Sequence, residues 1–156
     1  MIKKCLFVVV CFVGLAVYAY WTPFELSVFT PVEVPWGSEE VCGLRLNLVY
    51  GRTSDFTGLD IGFSNHVRGD GIGFQLGECN FVTGRFDGFQ IAAANFVRRE
   101  LNGAQVGYFN RSFQEGNGVQ IGVVNMADDF CGVQIGLINI IWDSSLVFFP
   151  IVNARF

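Results

Sequence analysis

The sequence holds a single histidine, His66, in 156 residues. A Ser-His-Asp or Cys-His nucleophile set needs an imidazole positioned by partners, and none assembles around a lone histidine in a turn. Basic residues are also few, 10 Lys and Arg against 14 Asp and Glu, for a net charge of −4. An acidic chain with scattered arginines is poorly suited to neutralising phosphates, which speaks against nucleic acid as a partner. Uninterrupted amphipathic stretches of helical length are missing. The cysteines fit no zinc spacing. The Gly-Gly-x-Gly-x-Asp calcium nonapeptide is absent. The glycines at Gly71 and Gly73 belong to no strand–Gly-loop–helix unit that cradles phosphate. The chain therefore reads as a non-enzyme, with no catalytic residue, no cofactor and no metal ligand to name.

What is present is a repeat. An eight-residue phrase, roughly Gly-apolar-Gln-aliphatic-Gly-x-x-Asn, begins at Gly43, Gly58, Gly73, Gly88, Gly103, Gly118 and Gly132; the first six starts are 15 residues apart and the last step is 14. A fixed short period marks a repeat architecture. The third position reads Arg45, Asp60, Gln75, Gln90, Gln105, Gln120, Gln134, and the eighth reads Tyr50, Asn65, Asn80, Asn95, Asn110, Asn125, Asn139. Apolar residues hold positions two and four, with polar or small ones at three and five. This is the period-two alternation of strands. Gly, Asn and Asp in the connections, as in Arg68-Gly69-Asp70-Gly71, mark turns.

The columns suggest roles. The fourth-position aliphatics Ile61, Leu76, Ile91, Val106, Ile121 and Ile135 are expected in one buried ladder. Asn tolerates left-handed backbone, and stacked amides bond one another as in cross-β assemblies. A structural ladder is therefore expected at a corner through Asn65, Asn80, Asn95, Asn110, Asn125 and Asn139. Gln75, Gln90, Gln105, Gln120 and Gln134 form a second column on one face, where mutual side-chain hydrogen bonding would make them part of the structural ladder. The fifth-position Gly or Ala permits close backbone approach or a bend.

Residues 1–19 form a separate element. Lys3-Lys4 is a basic n-region, Leu6 to Val17 is almost wholly apolar, and Val17-Tyr18-Ala19 suits cleavage after Ala19. This is the pattern of a secretory signal peptide, with an uncleaved anchor as the alternative. The remaining chain of about 137 residues is one domain's worth and carries a net charge of −6 once Lys3 and Lys4 are lost. Three cysteines remain, Cys42, Cys79 and Cys131, an odd number for an exported protein. Cys42 and Cys131 share a column about 29 Å apart, beyond disulfide reach, and all three are read as small buried residues. Residues 20–42, with Pro23, Pro31 and Pro35, suit an N-terminal cap. Residues 43–139 are the array, and 140–156 a C-terminal cap. In that cap Asp143-Ser144-Ser145 is a turn, and Leu146 to Phe149 a strand that Pro150 confines to an edge. The acidic pairs Glu39-Glu40 and Asp128-Asp129 and the run Arg98-Arg99-Glu100 read as solvated connections.

Gly118-Val119-Gln120-Ile121-Gly122-Val123-Val124-Asn125 and Gly132-Val133-Gln134-Ile135-Gly136-Leu137-Ile138-Asn139 resemble the phrase of the bacterial surface-repeat proteins first named from leptospires. Leu26 to Val32 and Gly43 to Arg52 are similar to that family's lead-in, and Phe148 to Asn153 to its closing segment. The resemblance implies an exported, envelope-associated protein of uncharacterised role and brings no catalytic residues. Localisation at the cell surface, outer membrane or periplasm follows as an expectation. So does a partner that is an unidentified protein or envelope component, with membrane association compatible.

Two architectures fit the repeat. One is an all-β solenoid of about seven 15-residue coils with caps at both ends. The other is a small antiparallel outer-membrane β-barrel, which also ends in an aromatic residue such as Phe156 and would act as a pore or anchor. Consecutive barrel strands run in opposite directions, so their sequence period should span two strands. Here every single repeat is equivalent, which favours the solenoid.

Overall fold

The structure, a computed structural model, describes residues 21–29, 32–34 and 40–156; the expected signal peptide lies outside them. Among the described residues ten strands follow one another: β1 (Trp21–Phe29), β2 (Val32–Val34), β3 (Glu40–Thr53), β4 (Asp55–Val67), β5 (Gly71–Leu76), β6 (Cys79–Val82), β7 (Phe86–Ile91), β8 (Ala94–Val97), β9 (Glu100–Ile141) and β10 (Phe148–Arg155). The long β9 winds through the later coils. Pairings along the array are parallel and in repeat register, for example Gly58 with Gly73 and Gln75 with Gln90. The solenoid is therefore the fold, and the antiparallel barrel is excluded.

Each coil has two walls. β5 and β7 stack on one side, β6 and β8 on the other, and the bent β4 and β9 join both. The corners are also bonded from coil to coil, with Gly77 N–H donating to the Ile91 carbonyl and Gly84 N–H to that of Gly69. Hydrogen bonding along the stack therefore continues through the turns, as buried backbone requires.

The repeat-opening glycines hold the coils close. All seven have φ between +129° and +147°. A Cβ on Gly103 would lie 2.0 Å from the Gly88 carbonyl oxygen. Both the conformation and the approach demand glycine. At the N-terminal end the carbonyl of Pro23 stacks against Gly43 in the same way, at an irregularity of β1. The lead-in is therefore strand for much of its described length, with β1 parallel to β3.

The apolar core occupies only one half of the coil interior, beside the charged turns. Phe56, Phe86, Leu101 and Phe130 from one wall meet Val67, Val82, Val97 and Ala127 from the other. Glycine makes room for the rings. A Cβ on Gly71 would sit 2.8 Å from Phe86 Cδ2, and one on Gly116 would sit 2.4 Å from Phe130 Cδ2. The expected closing strand at Leu146–Phe149 lies later, as β10. It runs antiparallel to the last coil, with a register break after Phe149 and Ile151 at φ 74°. Pro150 has no N–H to give a ladder, and the break falls beside it.

Candidate functional site

The other half of the interior is polar. The Gln column points inward, fully buried, and so does the Asn column opposite it. Each Gln Nε2 donates to the Oε1 of the coil before: Gln90 to Gln75 at 2.7 Å, Gln105 to Gln90 at 2.8 Å, Gln120 to Gln105 and Gln134 to Gln120 at 2.7 Å. Each Asn Nδ2 donates the opposite way, from Asn65 to Asn80 and on through Asn95, Asn110 and Asn125 to Asn139, at 2.8–3.0 Å. The same Asn amides donate to backbone carbonyls of the next coil, such as Asn95 to Val106 at 3.0 Å. A carbonyl accepts only from N–H, so this second bond fixes each amide's orientation. The two ladders thus run antiparallel and their dipoles oppose.

Charge terminates the Gln ladder. Gln75 donates to Asp60 Oδ2 at 2.9 Å. On its other side Asp60 takes a two-pronged contact from Arg45, at 2.9 and 2.6 Å, and a bond from Asn47 at 3.0 Å. All three side chains are buried, and so is Glu25, which stands opposite Arg45 in the strand register. Asn47 also donates to Asn65 Oδ1 at 3.0 Å, tying the two ladders together. Tyr50 is not in the Asn column as the spacing suggests. A register shift puts Gly51 opposite Asn65, and the Asn47 amide fills the place.

With amides inside, the aliphatics face out. The expected buried ladder of Ile61, Leu76, Ile91, Val106, Ile121 and Ile135 is corrected here. Ile91 is 38% exposed and Ile121 42%, and Phe89 at the second position reaches 58%. The Gln column is correspondingly an interior element and not a surface. Nor does any Asn adopt positive φ among the described residues, so pairing and not backbone tolerance explains that column. The cysteines are corrected too: Cys42 and Cys79 are half-buried and Cys131 is exposed.

A groove of about 730 Å³ runs along the outside of the stack at the fifth-position corner. Gly77, Ala92, Gly107, Gly122 and Gly136 form its floor. Val106, Ile121 and Ile135 stand on one side, Tyr108, Val123 and Leu137 on the other, and Ile151 of β10 at the end. The floor is narrow for a steric reason. A Cβ on Gly122 would lie 2.2 Å from the Gly107 carbonyl and 2.7 Å from Asn110 Nδ2. Among the described residues lining the groove, the one charged side chain is Glu78.

No family model, curated protein or solved structure matches this chain. The groove and the apolar wall beside it are the candidate site on geometry alone.

Titratable groups elsewhere are paired or dispersed. Asp128 bonds Arg111, and Asp129 bonds Arg155. Among the described residues no three His, Cys, Asp or Glu side chains converge as a metal site would require. His66 bonds the Tyr50 hydroxyl at 2.9 Å and meets Phe81 edge-on, with Phe96 next in the row. Partial burial lowers its pKa below the ordinary 6.5, and Arg52, Arg68 and Arg45 add to the effect. The folded state thus resists protonating a group that the unfolded chain protonates readily. Stability from this source is complete above the unfolded value and is lost as pH falls through it. Melting temperatures between about pH 7.5 and 5.5 are expected to fall more for the wild type than for His66→Phe, which extends the aromatic row. Equal falls would show that His66 contributes nothing to the pH dependence.

The Asn ladder makes a graded prediction. Asn95→Ala strips a partner from both neighbours, leaving Asn110 Oδ1 without its donor and Asn80 Nδ2 without its side-chain acceptor, and opens a small gap. The expected cost is about 1–3 kcal/mol. Asn139→Ala, at the ladder's end, removes only bonds to the Gly136 and Phe149 carbonyls and an acceptor for Asn125, which retains the Ile135 carbonyl. Its cost should be smaller. Thermal melts of both variants check the order; equal and negligible shifts would sink a coupled ladder.

Proposed function

We propose that this chain is an exported, non-enzymatic repeat protein that presents a rigid β surface at the bacterial cell envelope, in a structural or adhesive role. The carrying observation is the inversion of the repeat, with amides paired inside and apolar side chains outside on coil after coil. Exposed apolar area of this extent and regularity marks an interaction surface. The amide ladders support the reading from the other side. They make the coils rigid, and a rigid scaffold loses little entropy on binding. Export rests on the basic, apolar and small-residue pattern of residues 1–19, and envelope placement on the resemblance to the leptospiral surface-repeat proteins. The partner is a protein or envelope component that meets an apolar surface.

The test follows the chain in a bacterial host. The accumulated protein is expected in the envelope or periplasmic fraction, with Tyr20 as its first residue by N-terminal sequencing. Recovery in the cytoplasm with residues 1–19 intact would overturn the export reading.

A further inference from the structure

We infer that the apolar wall and its groove are covered by a second copy of this chain. The inference rests on reading the wall as an interaction surface, and is independent of export. Three observations favour a second copy over other occupants.

The first is the sheet's outer face. The wall is parallel along the array, and a contiguous apolar sheet face open to water marks an interaction surface. Here the inner face is covered by the core and the ladders, while the outer face carries aliphatic and aromatic side chains that no other described residue covers.

The second is area. About ten large apolar side chains of the wall and groove stand out by amounts from 38% at Leu59 to 72% at Tyr108. At about half exposure, ten such side chains present an area of the same order as one partner's share of a standard interface. A standard stable interface takes about 800 Å² per partner, and homodimer interfaces are the more apolar kind.

The third is charge. The sequence has no lysine beyond Lys4 and more acid than base. Surfaces that lie on anionic membranes carry Lys and Arg on their polar rim, whereas the charged residue at this groove is Glu78. A two-fold contact between identical walls instead matches apolar rows with apolar rows at one strand spacing.

The test uses the full chain and its variants. Sedimentation equilibrium at micromolar concentration is expected to give twice the chain mass determined by mass spectrometry. Phe89→Asp combined with Leu137→Asp places two charges on the wall at exposed positions. It should weaken association by roughly a hundred-fold or more while circular dichroism and melting stay as in the wild type. Arg99→Asp, in the charged turns away from the groove, should leave the dimer intact. A monomeric wild type overturns the inference. So does association that survives both aspartates, since it must then use another surface such as residues 1–19. A monomer that binds phosphatidylcholine vesicles, and loses that binding in the double variant, would assign the wall to lipid and overturn it equally. Failure of export would leave all of these masses unchanged.

Discussion

Gln105→Leu is expected to cost the fold about 2–6 kcal/mol, although leucine nearly matches glutamine in volume. The change removes one rung of a chain of fully buried amides. It leaves Gln90 Oε1 without its donor and Gln120 Nε2 without its acceptor. Each buried orphan costs about 1–3 kcal/mol, and polarisation along the chain weakens the remaining bonds as well. Gln134→Leu is the matched control. It takes the donor from Gln120 Oε1 and from the part-buried Ile140 carbonyl, and it removes Gln134 Oε1, which has no hydrogen-bond partner among the described residues. Its cost should be about half that of the interior substitution or less. Urea denaturation of the two variants beside wild type measures both. Equal midpoint shifts would show that the rungs act singly and that the ladder has no interior.

The 15-residue period made the coil legible, and the equivalence of single repeats separated solenoid from barrel. The period-two alternation did not say which side of each strand is inside. Period two is symmetric, and the habit of placing aliphatics in the core put Ile91 and Ile121 there. What decides the matter is satisfaction of polar groups. At one strand spacing, identical amides bond each other coil to coil, and the Asn amides add a bond to a backbone carbonyl, so most of the cost of burying a Gln or Asn column is offset. A signal for this was present in the columns. The third and eighth positions repeat one residue type through coil after coil, as a hydrogen-bonded ladder requires. The second position wanders through Leu, Phe, Ala and Val, which an outer surface tolerates. The order Arg45 then Asp60 in the Gln column likewise marked a buried pair one coil apart. Tyr50 was unreadable because a local register shift, invisible in spacing, moves Gly51 into its place.

Asp60→Ala is expected to destabilise the protein by about 3–5 kcal/mol, the scale for removing one partner of a buried ion pair. The carboxylate accepts four bonds, two from Arg45 and one each from Asn47 and Gln75. A carboxylate has about four lone-pair sites, so its capacity is filled. Its loss strands the Gln75 amide and both prongs of the Arg45 fork inside the coil. Charge itself is not what this position needs; it needs an acceptor for the ladder's N–H end. The triple variant Glu25→Gln, Arg45→Gln and Asp60→Gln should therefore recover most of the loss. The introduced amides continue the ladder through position 45 to position 25 opposite it, and no buried charge is left without a counter-ion. Replacing a whole buried ionic group with groups that satisfy each other is often close to neutral. Chemical denaturation of the single and triple variants decides between the two accounts. Recovery to within about 1–2 kcal/mol of wild type identifies Asp60 as a ladder terminus. A triple variant as unstable as Asp60→Ala would mean instead that the ionic group holds the first coils together through its own charge.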